Sequence, residues 1–401
     1  MRLFFICFFI TCTVVIHAQS FVGENGKNVI LNNKPFVMKG INLGNWLVPE
    51  GYMFKFKHAT SARLINEVFN ELIGPSATKK FWQQYLHSYI TQGDIDYLKT
   101  AGVNSIRVPF NYRLFTNEDY LGENNSNHGF EIIDSLVKWC KKDNIYILLD
   151  MHCAPGGQTG DNIDDSYSYP FLYDDKDAQQ QLIEIWTRIA AHYKSEKIIL
   201  GYDLLNEPIP HFYDTGYFNP KLEPLYKKIT VAIRTVDKNH LIFLGGAQWD
   251  SNFGVFGKPF DDKLVYTFHK YWTAPTKEVI QSYIDFSNKY NVPIYCGETG
   301  ENTNEWIMQF RQMLDSNNIG WHFWPYKKMD NERCMMTFNK PAGYDSIIAF
   351  ADTSRQGFEQ IRKARPTDID AVKKTLQQFL INCRFENCKP NEGYVKALGF
   401  K

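Results

Sequence analysis

Two glutamates in this sequence stand where they could share one reaction. Glu207 follows the apolar run Ile198 to Leu205 within Asn206-Glu207-Pro208, and Glu298 follows Val292 to Cys296 and Gly297. Paired carboxyl groups converging on one bond suit glycoside cleavage: one protonates the leaving oxygen while the other supports the developing oxocarbenium ion. Their neighbours divide the two tasks. Arg107 can hold a carboxylate ionised by placing positive charge beside it, as a nucleophile requires. Glu207, as the acid, needs its pKa raised by burial or by the other carboxylate. Asn206 and His152 are uncharged donors suited to a sugar 2-hydroxyl or to fixing Glu207, and Trp324 can offer an apolar face to a pyranose ring.

These residues share one placement in the chain. Each stands at or just beyond the carboxyl end of a short apolar run. The runs are Phe36–Leu43, Val103–Pro109 (carrying Arg107), Ile145–Leu149 (leading to Asp150 and His152), Ile198–Leu205, Leu241–Leu244, Leu264–Phe268 (leading to His269), Val292–Cys296 and Ile319–Phe323 (leading to Trp324). Helical patterns lie between them, as in Phe130–Lys142 and in Ala178–Tyr193, where Leu182, Ile185, Trp186 and Ile189 recur at helical spacing. Continuous apolar strands alternating with helices predict a parallel sheet buried on both faces, and such units close as an α/β (β/α)₈ barrel. Barrels of this kind build their active sites at the carboxyl ends of the strands. A short hairpin over Phe21–Lys34, with Asn25-Gly26 and Asn32-Asn33 as turns, precedes the barrel, and a final helix over Asp368–Cys383 packs Val372, Leu376, Phe379 and Leu380 on its outside. The stretch Asp161–Asp175 is expected to loop over the cleft, with Tyr167, Tyr169, Phe171 and Tyr173 on one edge available to stack on sugars. Lys327 and Lys328 are expected to be solvated, and Asp150 to orient His152 or Arg107.

The chain resembles glycoside hydrolase family 5, the cellulase-type family of retaining (β/α)₈ enzymes, from about Phe36 to Lys328. Leu205-Asn206-Glu207-Pro208 is similar to the family's acid/base signature, and Ile294-Tyr295-Cys296-Gly297-Glu298 to its nucleophile strand. The resemblance implies that Glu207 is the acid/base and Glu298 the nucleophile, with supporting roles for Arg107, His152, Asn206, His269, Tyr271 and Trp324. It also implies retention, and hence carboxyl groups about 5–5.5 Å apart. Gly40 to Tyr52 and His152 to Asn162 resemble the exo-β-1,3-glucanase branch, in which the acid corresponding to Glu50 contacts the terminal sugar. Gly297 to Asn302 is closer to endo-acting cellulases. A β-glucan substrate is expected, with 1,3- and 1,4-linkages and endo or exo action open, and mannan or xyloglucan as the rival substrates.

The composition sets the outer limits. The chain has 401 residues with 44 Lys+Arg against 44 Asp+Glu, and this zero formal charge argues against a nucleic-acid partner. Arg2, the apolar run Leu3–Ile16 and a small residue at Ala18 read as a signal peptide over 1–18, with the catalytic domain over 19–401 and an exported, periplasmic or extracellular product. No membrane span is expected after that cleavage. Six cysteines remain, of which Cys383 and Cys388 could close a small loop, while isolated buried thiols are expected elsewhere. No CxxC or HExxH spacing occurs, so neither a metal nor a cofactor is expected. A His-x-His cluster of the metal-dependent amidohydrolase type is absent too. A glycan-binding barrel without catalysis is the remaining alternative, which the presence of both carboxylates opposes. The expected partner is a polysaccharide or oligosaccharide, with the protein acting as a monomer.

Overall fold

The computed structural model describes residues 20–401; the leader and the cleavage point after Ala18 lie outside them. Three short antiparallel strands come first: β1 (Gly23–Asn25), β2 (Asn28–Leu31) and β3 (Lys34–Pro35). The expected hairpin is therefore a three-stranded sheet. Asn32 and Asn33 both take left-handed backbone (φ 53 and 59) and turn the chain straight back into β3. Phe21 meets His240 edge-on and Phe36 meets Tyr146 edge-on, so this sheet covers the amino-terminal end of the barrel.

Eight parallel strands close the barrel in the order β10-β11-β4-β5-β6-β7-β8-β9. They are β4 (Lys39–Asn42), β5 (Ser105–Asn111), β6 (Tyr146–Cys153), β7 (Ile199–Asp203), β8 (Leu241–Gly245), β9 (Leu264–His269), β10 (Ile294–Glu298) and β11 (Gly320–Phe323). Every residue of β5 to β9 is buried, as expected of a sheet covered by helices on one face and filled by side chains on the other. Each expected run overlaps one of these strands.

The helices follow the alternation. α1 (Ala62–Ile73) and α2 (Pro75–Ser88) fill a long excursion after β4, and α3 (Gln92–Ala101) leads into β5. α4 (His128–Asp143), α5 (Lys176–Tyr193) and α6 (Thr215–Val236) wrap the middle strands, with one distorted turn, α7 (Ala247–Asp250), after β8. α8 (Gln281–Tyr290) and α9 (Asn304–Ser316) follow β9 and β10. The Asp175 side chain caps α5 by accepting from the backbone N–H groups of Asp177 and Ala178.

Beyond β11 the chain adds β12 (Lys327–Met329), β13 (Met336–Phe338), α10 (Tyr344–Ala351), α11 (Phe358–Ala364), α12 (Ile369–Asn382), β14 (Lys389–Pro390) and α13 (Glu392–Ala397). α12 is the helix expected over 368–383, and it buries Val372, Leu376, Phe379 and Leu380. It is not the last one, because α13 follows and packs on α9. Phe379 stacks on Phe54 at 5.3 Å and also faces Phe81, Tyr85, Phe338 and Tyr344. Part of the aromatic richness of the sequence thus builds a core outside the barrel, which joins α1, α2, α10 and α12.

Two expectations fail here, and the loop that Cys383 and Cys388 could close is not formed. Lys327 is not solvated. It is fully buried, with Nζ 2.6 Å from Asp94 Oδ1 and donating to the carbonyls of Tyr89 (2.7 Å) and Cys383 (3.1 Å). Lys328 is 5% exposed and pairs with Glu301. Cys383 and Cys388 are not joined. All six described cysteines are free thiols, and the sulfur of Cys388 faces the carbonyls of Arg384 and Cys383 instead. The Lys327–Asp94 pair ties the segment after the barrel to α3 and α12, and Tyr326 Oη and Thr91 Oγ1 complete the hydrogen bonds of Asp94. Removing one partner of a buried pair strands the other charge. Lys327→Met should therefore lower unfolding free energy by about 3–5 kcal/mol in urea titration; a loss under about 1 kcal/mol would show that Asp94 finds other partners.

Candidate active site

Nearly every polar residue singled out above comes to the carboxyl-terminal mouth of the barrel, where a cavity of about 660 Å³ opens. Glu50, His152, Glu207, His269, Tyr271, Glu298 and Trp324 line it. Arg107 and Asn206 do not. Arg107 is wholly buried and Asn206 is 1% exposed, so both lie behind the cavity wall. Arg107 is therefore a positioning residue that holds a carboxylate rather than one that lines the cavity, and Asn206 likewise meets Arg107 and His152.

Its guanidinium is enclosed by acceptors from the strands around it. Nε donates to Asp203 Oδ2 (2.9 Å), Nη1 to Glu298 Oε1 (2.6 Å) and Asn42 Oδ1 (3.1 Å), and Nη2 to Asn206 Oδ1 (2.9 Å) while lying 3.0 Å from Asp150 Oδ1. Burial works against its charge, but Asp150, Asp203 and Glu298 outweigh that and raise its pKa further. Burial pushes Asp150 and Asp203 up to about 7, because one guanidinium cannot offset three carboxylates out of water. Asp203 was not legible as a site residue in the sequence, although it ends a barrel strand as Asp150 does.

Glu298 is placed by a register shift. The pairing of β10 with β9 slips between Cys296 and Glu298, a bulge centred on Gly297. A side chain at Gly297 would press on His269, since a Cβ there would fall 2.8 Å from His269 Nε2. One Glu298 oxygen takes Arg107 and the other accepts from Tyr271 Oη at 3.0 Å.

Glu207 has a different setting. Its backbone is left-handed (φ 44), as is that of Ile209 (φ 53), a conformation that a β-branched residue rarely adopts. The loop carrying Gln158 and Thr159 clamps this turn. Gln158 Nε2 donates to Asn206 O, Thr159 Oγ1 donates to Glu207 O, and Ile209 N donates to Gln158 O. Strained backbone held this firmly marks a functional position. The Glu207 side chain is 14% exposed, and Oε1 lies 2.9 Å from His269 Nδ1. Burial pushes its carboxyl up to about 7, with the Arg107 charge opposing only in part. Asp250, also absent from the sequence reading, accepts from Glu207 N at 3.3 Å and lies 3.2 Å from His269 Nε2.

The two histidines are neutral imidazoles. Burial lowers His152 to about 4 and His269 to about 3. His152 Nδ1 lies 2.8 Å from Asp150 Oδ2, which fixes the proton on Nδ1 and leaves Nε2 to accept from Asn206 Nδ2 at 3.4 Å. The expected structural role of Asp150 is met on both counts. Trp324 stacks on His152 (5.6 Å between ring centres, 9° between planes) and donates from Nε1 to Tyr52 Oη. The Asp161–Asp175 loop presents only Asn162 and Ile163 to the cavity. Its aromatic edge does not face the cleft: Tyr173 is buried, Tyr169 packs on Tyr213 and Phe218, and Tyr167 lies under Arg63.

One oxygen of Glu207, one of Glu298 and a ring nitrogen of His269 lie within 4.8 Å of one another. The two carboxyl groups therefore reach toward the same space in the cavity. The same groups are of metal-ligand type, as are Asp150, His152 and Glu298. A cation at the latter trio would compete with Arg107, which already contacts both carboxylates.

Comparison with known proteins agrees with this geometry. The sequence model for cellulase (glycosyl hydrolase family 5) matches residues 61–330. The chain belongs to glycosyl hydrolase family 5. The chain is similar to a "Beta-xylosidase" of Phanerodontia chrysosporium (30% identity over 259 residues, 64% of this chain), and it spans about half, 51%, of that relative's length. It is also similar to "Endoglucanase C" of Acetivibrio thermocellus (26% over 314 residues, 63% of this chain and 88% of that one). In fold it is similar to a crystal structure of an endogalactoceramidase (TM-score 0.62, 16% identity), which covers 94% of this chain and 84% of its own.

Gly44 sets how the indole lies in the cavity wall, since a Cβ there would come within 2.6 Å of Trp324 Cη2. Gly44→Ala is expected to displace Trp324 and to cost about 1–3 kcal/mol by overpacking. Urea unfolding measures this, and unchanged stability would show that the ring has room to move.

Proposed function

We propose that the chain hydrolyses β-glucosidic bonds of glucans by double displacement, with Glu298 as nucleophile, Glu207 as acid/base and retention of configuration. One observation carries the proposal: Glu207 and Glu298 each bring a carboxyl oxygen to within 4.8 Å of the other in the same cavity, in unlike surroundings. Glu298 accepts a guanidinium N–H on one oxygen and a phenol O–H on the other, which fix the carboxyl group in place. Glu207 is raised to about 7 by burial, which favours a proton.

The steps follow from that difference. Glu207 donates its proton to the glycosidic oxygen while a Glu298 oxygen attacks the anomeric carbon, and the aglycone alcohol departs. The bond to Glu298 is then cleaved by water, which Glu207 deprotonates, returning both residues to their starting states. Tyr271 and Arg107 hold the attacking carboxylate at a fixed angle. Neutral His269 steadies Glu207 without adding a positive charge that would lower its pKa. Trp324, backed by His152, offers the ring face for the sugar bound beside Glu298. Glu50 lines the same cavity with Oε1 lacking a partner in the protein, and it suits a sugar hydroxyl. The relatives named above and the chain's likeness to exo-β-1,3-glucanases support a β-glycan substrate. Export after loss of residues 1–18 belongs to the same proposal and would place the protein with polymeric glycans outside the cell.

The test is direct. Glu207→Ala should lower turnover of a glucan oligosaccharide by about 10²–10⁴-fold, the usual reach of a general acid, and Glu298→Ala should lower it at least as far. Azide added to Glu207→Ala should yield a β-glucosyl azide if the intermediate forms on Glu298. Wild-type turnover by either variant sinks the assignment. Because the acid must be protonated, kcat/KM should fall as pH rises through about 7, with the midpoint set by Glu207. Product sizes from β-1,3-glucan, β-1,4-glucan, mannan and xyloglucan then identify the linkage and separate terminal from internal cleavage.

A further inference from the structure

The cavity is open on one side and walled on the other. Beside Glu207 its lining runs from Trp249 to Trp272, which is 73% exposed, so that side reaches solvent. On the far side stand the segments that follow the adjoining strands β10, β11 and β4. Tyr52 follows β4, Glu301 follows β10, and Lys328 lies in β12, directly after β11. Trp324 and Glu50 line the cavity here too, so this side receives the sugar that becomes bonded to Glu298.

A second cavity, of about 740 Å³, lies beyond that wall. Its lining is wholly polar and includes Asn302, Asn304, Asp330, Arg333 and Asn339. The partition is thin, because Glu301 lines the first cavity and its neighbour Asn302 the second. It is also firmly built. Lys328 is 5% exposed; its Nζ pairs with Glu301 Oε1 and lies 4.7 Å from the centre of the Tyr52 ring. Tyr52 Oη accepts from Trp324 Nε1, and Arg333 Nη1 donates to Glu301 O at 3.3 Å. Trp324 N donates to Thr299 O at 2.7 Å, which ties the start of the Glu301 loop to the end of β11. Glu301 itself takes left-handed backbone (φ 48), a state that side chains other than glycine keep only where their surroundings enforce it.

A glucan chain running on past the sugar beside Glu298 would have to push Glu301 aside. That would leave the Lys328 ammonium without its partner in a place almost closed to water. A chain that ends there meets no such cost. We propose that the Glu301–Lys328 pair is a stop that confines the enzyme to the non-reducing ends of glucan chains, so that each cut releases a short terminal sugar. The inference rests on the catalytic reading above and specifies the action of that same site. Neither residue touches a reacting atom in this scheme, so the pair sets which chains enter and not how the bond is cleaved. With the stop removed the two cavities join into one groove, whose polar lining suits the hydroxyls of further sugar units.

The test separates chain-end selection from bond cleavage. β-Glucosyl fluoride carries no chain on either side and reads the catalytic groups alone. Gluco-oligosaccharides of β-1,3- and β-1,4-linkage, with the non-reducing end either free or blocked by a 4,6-O-benzylidene group, read the stop. On the linkage that is cleaved, the wild-type protein should cut the free form about 100-fold faster than the blocked one. In Glu301→Gly/Lys328→Met that ratio should fall about tenfold or more toward one, with each rate expressed relative to the same variant's fluoride rate. Glycine suits the left-handed backbone there, and methionine leaves no stranded charge. Glu301→Gln, which keeps the bulk, should keep the ratio. On the polymer the wild-type protein should release short sugars while the mean chain length falls slowly. A wild-type ratio near one, an early collapse of polymer length, or an unchanged ratio in a double variant that turns over the fluoride each overturns the stop and leaves the catalytic reading standing. Fluoride turnover with neither linkage cleaved overturns the glucan assignment and the stop with it. Absence of fluoride turnover by the wild-type protein overturns the catalytic reading first.

Discussion

A guanidinium with no access to water is the constraint around which this barrel mouth is organised. Burying such a charge is costly unless every donor finds an acceptor and the charge is balanced. Arg107 meets that demand with Asp203, Asp150, Asn206, Asn42 and Glu298. Asn42 in turn donates to the carbonyls of Gly297, His322 and Phe323, so the same contact network spans the seam where β10, β11 and β4 close the barrel. Glu298 therefore owes its position to a charge it does not share with solvent. Moving Arg107 would release Glu298, Asn206 and Asp150 together, because each is oriented by the same planar fork of donors.

The unlike surroundings of the two glutamates follow from that arrangement by distance. Glu298 touches Arg107 directly, whereas Glu207 feels it only from further away and is otherwise set by burial. Placing neutral histidines between the carboxylates preserves the contrast. A charged His269, 2.9 Å from Glu207 Oε1, would lower its pKa and remove the proton the reaction requires. The carboxylates Asp150 and Asp250 behind the histidines orient them, and their own pKa values are raised by burial. The excess of acid beneath the floor is thus held partly in neutral form, which keeps the cost of burying it tolerable.

Much of this was legible in order along the chain. Barrel strands are apolar runs of strand length followed by polar residues, and the polar residues that do chemistry must stand at their carboxyl ends. Glu207, Glu298, His152, His269 and Trp324 follow that rule and were readable from it. Asp203 obeys it too but reads as an ordinary strand-end aspartate until Arg107 is seen to reach it. Asp250, Trp249 and Trp272 had no such signal, because they sit in short left-handed turns that no periodicity announces. The lysines were misread for a related reason. Lys327-Lys328 looks solvated in a sequence, and only its meeting with Asp94 and Glu301, more than twenty residues away in either case, allows burial.

The residue order alone decided the class of fold and pointed to two candidate carboxyl groups, since periodicity and strand-end placement are local properties of the chain. The rise of the Glu207 carboxyl was decided by folding, because it comes from burial among groups brought together through space. So was the make-up of the cavity wall. Glu50 and Trp249 are separated by nearly 200 positions, and they line one cavity only because an eight-stranded sheet closes on itself and sets β4 across from β8.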